Sequence, residues 1–220
     1  MKLDALLIVI EVGGTLAFAT SGLIEAMRKR MDLVGMFFVA FITAFGGGTL
    51  RDVLLDRRPF FWIENQEYLW LVLALVLTAP LWLRRRRYQF GEKLMEFADA
   101  CGLGLFAISG TSIAHAAGMS PLVSVLMGVV TAVFGGVSRD VLCNQIPKVY
   151  NDHRPYALCA LFGCALFLGL MAMGVSQHLS SVAGIVAASY SRLLTVAFDW
   201  KIPSWPAMTG KGYPPGRDEK

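Results

Sequence analysis

Apolar residues fill this chain in blocks of about twenty, separated by short polar connections. A helix needs about 20 predominantly apolar residues to cross the hydrocarbon core of a bilayer. Seven blocks meet that length: Leu3–Met27, Leu33–Leu55, Tyr68–Leu83, Leu94–Ala116, Pro121–Cys143, Tyr156–Val175 and Leu179–Trp200. The connections between them carry turn residues, as in "RPFFWIENQ", "GMSP" and "NDHRP". The expected fold is an all-α integral membrane protein whose single domain spans residues 1–200. The last stretch, residues 201–220, is rich in Pro and Gly and is expected to be a flexible cytoplasmic tail. The first block is expected to remain as a span, because Lys2 and Asp4 make a weak basic region and "ATSG" is a poor cleavage site.

Composition sharpens this picture. Hydrophobic residues make up 55% of the 220 and charged ones only 16%, against about 25% charged in soluble domains. The formal charge of +4 is confined to a few loops and so bears on orientation in a membrane, not on nucleic acid. With seven crossings, fourteen Lys and Arg fall on the side of the C-terminus and three (Lys2, Arg57 and Arg58) on the other. The positive-inside rule then puts the N-terminus outside and the C-terminus in the cytoplasm. The run Arg84–Arg87 is expected to anchor at anionic head groups. The four cysteines match no metal spacing and are expected to act as small hydrophobes. His115, His153 and His178 lie far apart at span ends, and there is no nucleotide motif, so neither an enzyme nor a bound cofactor is expected.

Sliding the chain by 88 positions aligns its two halves without a gap from Glu11 to Pro59. Gly14, Phe18, Ser21 and Gly22 meet Gly102, Phe106, Ser109 and Gly110; Thr43 meets Thr131; Gly47, Gly48, Arg51 and Asp52 meet Gly135, Gly136, Arg139 and Asp140. Glu11 meets Asp99, and Pro59 meets Pro147. Each copy holds three spans (repeat 1 about 3–83, repeat 2 about 91–175), an odd number, so the copies enter the membrane from opposite sides. The seventh helix, about 179–200, has no partner, and the plan is an inverted 3+3 repeat plus one.

The polar residues inside the spans are the candidate functional ones. Gly46, Gly47 and Gly48 sit near mid-depth of the second span, and Gly135 and Gly136 in the fifth. Glycine is a poor helix former, so both spans are expected to break there, with Thr49 and Ser138 capping the resumed helices. Freed carbonyls near Gly47, Thr49, Gly135 and Ser138 would then give potassium transient ligands. The simpler alternative is that the glycines only permit tight helix packing, which is the expectation for Gly14, Gly22, Gly102 and Gly110. Ionisable groups at the centre of a span cost at least about 3 kcal/mol and need a partner or a cavity. Arg51 and Asp52 are about 100° apart on a helix, which favours pairing across the repeats: Arg51 with Asp140, and Arg139 with Asp52. Glu11 and Asp99 either line a water-filled path, where they would favour cations, or pair with a nearby Arg. Arg192 on the seventh helix is expected to balance an acid or tie the repeats together.

"FGGGTLRDVLLDRRP" and "FGGVSRDVLCNQIP", each after a span containing "FATSG" or "FAISG", resemble the bacterial branch of the trimeric intracellular cation (TRIC) channel family, whose bacterial members are also labelled glycine transporters. The resemblance covers roughly Leu3 to Trp200. It implies a homotrimer in the bacterial inner membrane, each seven-helix subunit holding its own pore for monovalent cations, chiefly potassium, lined by kinked second and fifth helices. The glycine motifs fall on Gly46, Gly47, Gly48 and on Gly135, Gly136, where Val137 follows the second pair. Two functions remain open from the residues: a potassium-permeable channel, or a carrier for glycine or a similarly small zwitterion.

Overall fold

A computed structural model describes residues 5–83, 88–151 and 154–201. The run Arg84–Arg87, His153 and the tail beyond Lys201 lie outside these residues. Among the described residues all regular structure is helical. Each apolar block becomes a helix: α1 (Ala5–Arg28), α2 (Leu33–Leu54), α4 (Glu67–Leu83), α5 (Tyr88–Ala116), α6 (Pro121–Leu142), α8 (Ala157–Ala172) and α9 (Gln177–Ala197). Two four-residue helices, α3 (Phe61–Glu64) and α7 (Lys148–Asn151), fold from connections expected to be loops. Five helices are long and apolar enough to cross a membrane, within α1, α2, α5, α6 and α9. Two shorter apolar helices, Glu67–Thr78 and Ala157–Ala172, accompany them.

Local chemistry fixes the ends of α2 and α6 in the same way. Asp32 caps α2 by accepting the Gly35 N–H at 2.7 Å, and Ser120, 88 positions on, caps α6 ahead of Pro121. Both helices end on a residue with positive φ, Asp56 and Asn144, and on a bond from two residues past the cap back to the Asp carbonyl. The Arg57 N–H reaches Asp52 O at 2.8 Å, and the Gln145 N–H reaches Asp140 O at 2.8 Å.

The innermost helix is α5, which packs against α1, α6, α8 and α9. Its faces carry Gly102, Gly104 and Gly110, each in a place where a Cβ would collide with a neighbouring helix. Residues of the two halves meet their own counterparts at the centre. Phe18 on α1 stacks on Phe106 on α5, ring centroids 5.5 Å apart and planes within 10°. Gly14 faces the Phe106 ring while Gly102 faces the Phe18 ring. Gly22 faces Thr43 and Gly110 faces Thr131, so these four glycines serve packing, as expected.

The expected helix breaks do not occur. Both α2 and α6 run without interruption through their glycines. Gly47 and Gly135 instead let the two helices cross in close contact. A Cβ on Gly135 would stand 2.5 Å from the carbonyl oxygen of Thr43, and one on Gly47 still closer to that of Thr131. Tertiary packing overrides the weak helix propensity of glycine here, because the close approach regains contacts that exceed a cost of about 1 kcal/mol per glycine. Gly46 lies against Phe134, its own counterpart in α6, so the large side chain of one half occupies room the other leaves.

Candidate functional site

The α2–α6 crossing brings two ion networks into the bundle, each built around an arginine with almost no exposed surface. In the first, Arg51 contacts the neighbouring Asp52 at 2.9 Å through Nε and Nη2, and its Nη1 donates to Glu11 of α1 at 3.1 Å. The same Nη1 donates to Ser109 of α5 at 3.0 Å. In the second, Arg139 contacts Asp140 at 2.9 Å and donates through Nη1 to Asp99 of α5 and to Ser21 of α1. Every partner in one network has its counterpart 88 positions away in the other.

Each aspartate has two tasks. Its Oδ1 holds the arginine, and its Oδ2 accepts a backbone N–H from the start of the next short helix, Phe61 in one half and Lys148 in the other, both at 2.9 Å. The networks therefore tie the two long spans to the short helices that follow α2 and α6. Arg57 adds a longer, half-buried contact to Asp52 Oδ1 at 3.5 Å. Fully buried charges persist only when paired and hydrogen-bonded, and removing one partner leaves the rest uncompensated.

This geometry corrects the expected cross-repeat ion pairs. Arg51 pairs with Asp52 and Glu11, not Asp140; Arg139 pairs with Asp140 and Asp99, not Asp52. A long guanidinium stem curls back to its sequence neighbour, which a Cα-based angle of about 100° does not exclude. What does cross between the halves is the serine: Arg51 to Ser109, and Arg139 to Ser21. Glu11 and Asp99 take the alternative role stated for them, as partners of an arginine.

The hydroxyls expected to cap broken helices do other work. Thr49 donates to the Phe45 carbonyl at 2.8 Å, inside the helix, and accepts the Trp62 indole N–H at 3.0 Å. Ser138 is a half-buried residue in the unbroken α6. Around Gly47 and Gly135 both helices stay continuous, and the absent Cβ atoms leave room for the Thr131 and Thr43 carbonyls of the opposite helix.

Two pairs of site residues went unrecognised in the sequence. Ser21 and Ser109 recur at the same place in "FATSG" and "FAISG", and that recurrence is the sequence signal for their role. Tyr68 and Tyr156, also 88 positions apart, lie beyond the gap-free stretch, and both are buried. Tyr156 takes the Arg192 guanidinium of α9 on its ring, 4.7 Å from the centroid. Through this ring contact Arg192 joins α9 to the start of α8.

Comparison with known proteins places this arrangement. The family model described as "Glycine transporter" matches the chain twice, over residues 8–84 and 96–172. The chain is 33% identical over 201 residues to a UPF0126 membrane protein of Vibrio cholerae, covering 91% of this chain and 83% of that one. It is 31% identical over 196 residues to the UPF0126 inner membrane protein YadS of Escherichia coli, covering 89% and 94%. Its fold matches the TRIC trimeric intracellular cation channel orthologue from Rhodobacter sphaeroides with a TM-score of 0.84 and 32% identity, over 90% of this chain and 100% of that one. The chain is a bacterial member of the TRIC family. In this TRIC-family chain, each of the two matched segments contains one complete set of acid, Arg-Asp pair and tyrosine: Glu11, Arg51, Asp52 and Tyr68, then Asp99, Arg139, Asp140 and Tyr156.

Proposed function

We propose that this TRIC-family membrane protein is a potassium-permeable cation channel, acting as a homotrimer with one pore in each subunit. The supporting observation is the pair of buried arginine–carboxylate networks at 88-residue spacing, set in a fold shared over 90% of the chain with a cation channel. Each network places two buried carboxylates beside its central arginine, groups that favour cations where they line a water-filled path. The path runs past Glu11, Arg51 and Asp52 in one half and Asp99, Arg139 and Asp140 in the other, with Gly46, Gly48, Gly136, Thr49 and Ser138 along it and Gly47 and Gly135 letting α2 and α6 cross closely. Seven crossings arranged as an inverted 3+3 repeat plus one give this path its symmetry, with the N-terminus outside and the C-terminus in the cytoplasm of the bacterial inner membrane. The reciprocal contacts between counterpart residues support the repeat, and the inner-membrane name of the E. coli relative supports the location.

The second reading, a carrier for glycine or a similar small amino acid, is favoured by the description of the matching family model. A guanidinium and a carboxylate in one network offer partners for both ends of a zwitterion. Purified protein in planar bilayers separates the two. Discrete potassium currents far above the turnover of a carrier are expected; saturable, current-free glycine uptake into proteoliposomes would overturn the channel.

A further inference from the structure

The two halves differ at one pair of equivalent glycines, Gly48 of α2 and Gly136 of α6. A Cβ on Gly48 would run into three atoms of one ring, Cε1, Cζ and Cδ1 of Phe61. A Cβ on Gly136 would meet oxygens first, standing 2.9 Å from the Tyr156 hydroxyl and 3.6 Å from Asp99 Oδ1. The same position beside an arginine–carboxylate network is thus filled by hydrocarbon in the first half and faced by two oxygens in the second. Phe61 is 3% exposed, and the centroid of its ring lies 5.3 Å from the guanidinium carbon of Arg51. One ring therefore reaches both Gly48 and Arg51.

The ring is carried by the short helix α3, which is fastened to α2 at both of its first two residues. The Phe61 N–H donates to Asp52 Oδ2 at 2.9 Å, and the Trp62 indole N–H donates to Thr49 Oγ1, beside Gly48 in sequence, at 3.0 Å. Phe45, Tyr68 and Phe106 meet the Phe61 ring at centroid distances of 5.8, 6.1 and 6.4 Å. In the second half, α7 repeats the first fastening, from the Lys148 N–H to Asp140 Oδ2. The residues 88 positions on from Phe61 and Trp62 are Val149 and Tyr150, and Tyr150 is 72% exposed. The second half thus has valine at the place of the ring and a mostly exposed side chain at the place of the indole. An apolar constriction in a narrow path stops ions by excluding water, whereas hydroxyl and carboxylate oxygens hold water in place.

We infer that α3 is a lid that closes the first half of the path, with the Phe61 ring as its plug and the Trp62–Thr49 bond as its latch. At the equivalent place in the second half, the Tyr156 hydroxyl and Asp99 keep the path polar beside Gly136. The inference rests on the channel reading above, which puts both glycines along the path. Full-length protein is assayed in liposomes for potassium flux, and in nanodiscs for Tm and for hydrogen–deuterium exchange of its peptides. Phe61→Val removes the plug and is expected to raise flux about tenfold, the effect of about 1.4 kcal/mol off the barrier, while Tm falls. Thr49→Val breaks the latch with the ring retained and should raise flux about threefold. Tyr156→Phe keeps the ring under Arg192 but deletes the hydroxyl facing Gly136, so flux should fall about threefold. In Phe61→Val, water entry should speed exchange in the α2 peptide around Gly48 and leave the α6 peptide around Gly136 unchanged. If the unmodified protein conducts and Phe61→Val conducts no better, the lid is overturned and the channel stands. Should Phe61→Val fail to fold, Thr49→Val decides by the same two readouts. If no variant conducts potassium, the channel is removed and exchange decides: faster exchange around Gly48 alone keeps the lid, and equal change in both peptides overturns it.

Discussion

Gly46 and Gly47 are neighbours in one helix, yet replacing each with alanine is expected to have opposite effects on stability. Either substitution gains up to about 1 kcal/mol of helix propensity in α2. At Gly46 the new Cβ meets the Phe134 ring at 3.6 Å, an ordinary van der Waals contact, so the gain is kept. At Gly47 it runs into the carbonyl oxygen of Thr131, a backbone atom of α6 that no rotamer change can move. The helices must part by roughly 1 Å, an overpacking cost at the upper end of about 1–3 kcal/mol. The net loss is about 2 kcal/mol and the two variants differ by about 3 kcal/mol. At about 2–4 °C per kcal/mol for a chain of this length, their Tm values should lie roughly 6–12 °C apart, with Gly46→Ala the higher. Thermal unfolding of both proteins in the same detergent or nanodisc measures this directly. If they melt within about 2 °C of each other, close approach of α2 and α6 is not what Gly47 serves. A hinge role for the whole cluster would instead make both substitutions costly.

The ion networks support further tests. Arg51→Met is expected to cost about 3–5 kcal/mol, because Glu11 and Asp52 lose their shared cation. Combining it with Glu11→Gln should cost about 0.5–3 kcal/mol less than the sum of the singles, whereas combining it with Asp140→Asn should be additive within about 0.5 kcal/mol; denaturant unfolding of the cycle decides. Ser21→Ala and Ser109→Ala each remove a hydrogen bond to a buried guanidinium and should destabilise by similar amounts, about 1.5–3 kcal/mol, in the same assay. A loss in one and none in the other would show that the two networks are not equivalent.

The helices and the correspondence between halves were legible in the sequence, because both depend on local signals. Apolar block length fixes where a span runs, and Gly-Gly, Arg-Asp and Pro in constant register cannot recur by shared hydrophobicity alone. The polar residues inside the spans were likewise visible, since their burial cost marks them out. Their partners were not. Whether Arg51 reaches Asp52 or Asp140 depends on where a long, flexible stem turns in three dimensions, and residue spacing constrains only the Cα positions. Glycine was ambiguous for a related reason. The same missing Cβ weakens a helix and lets another helix come close, and only the presence of the Thr131 and Thr43 carbonyls against Gly47 and Gly135 shows which effect prevails. The tertiary structure also set one difference between the halves: a seventh helix without a repeat partner brings the Arg192 guanidinium over the Tyr156 ring.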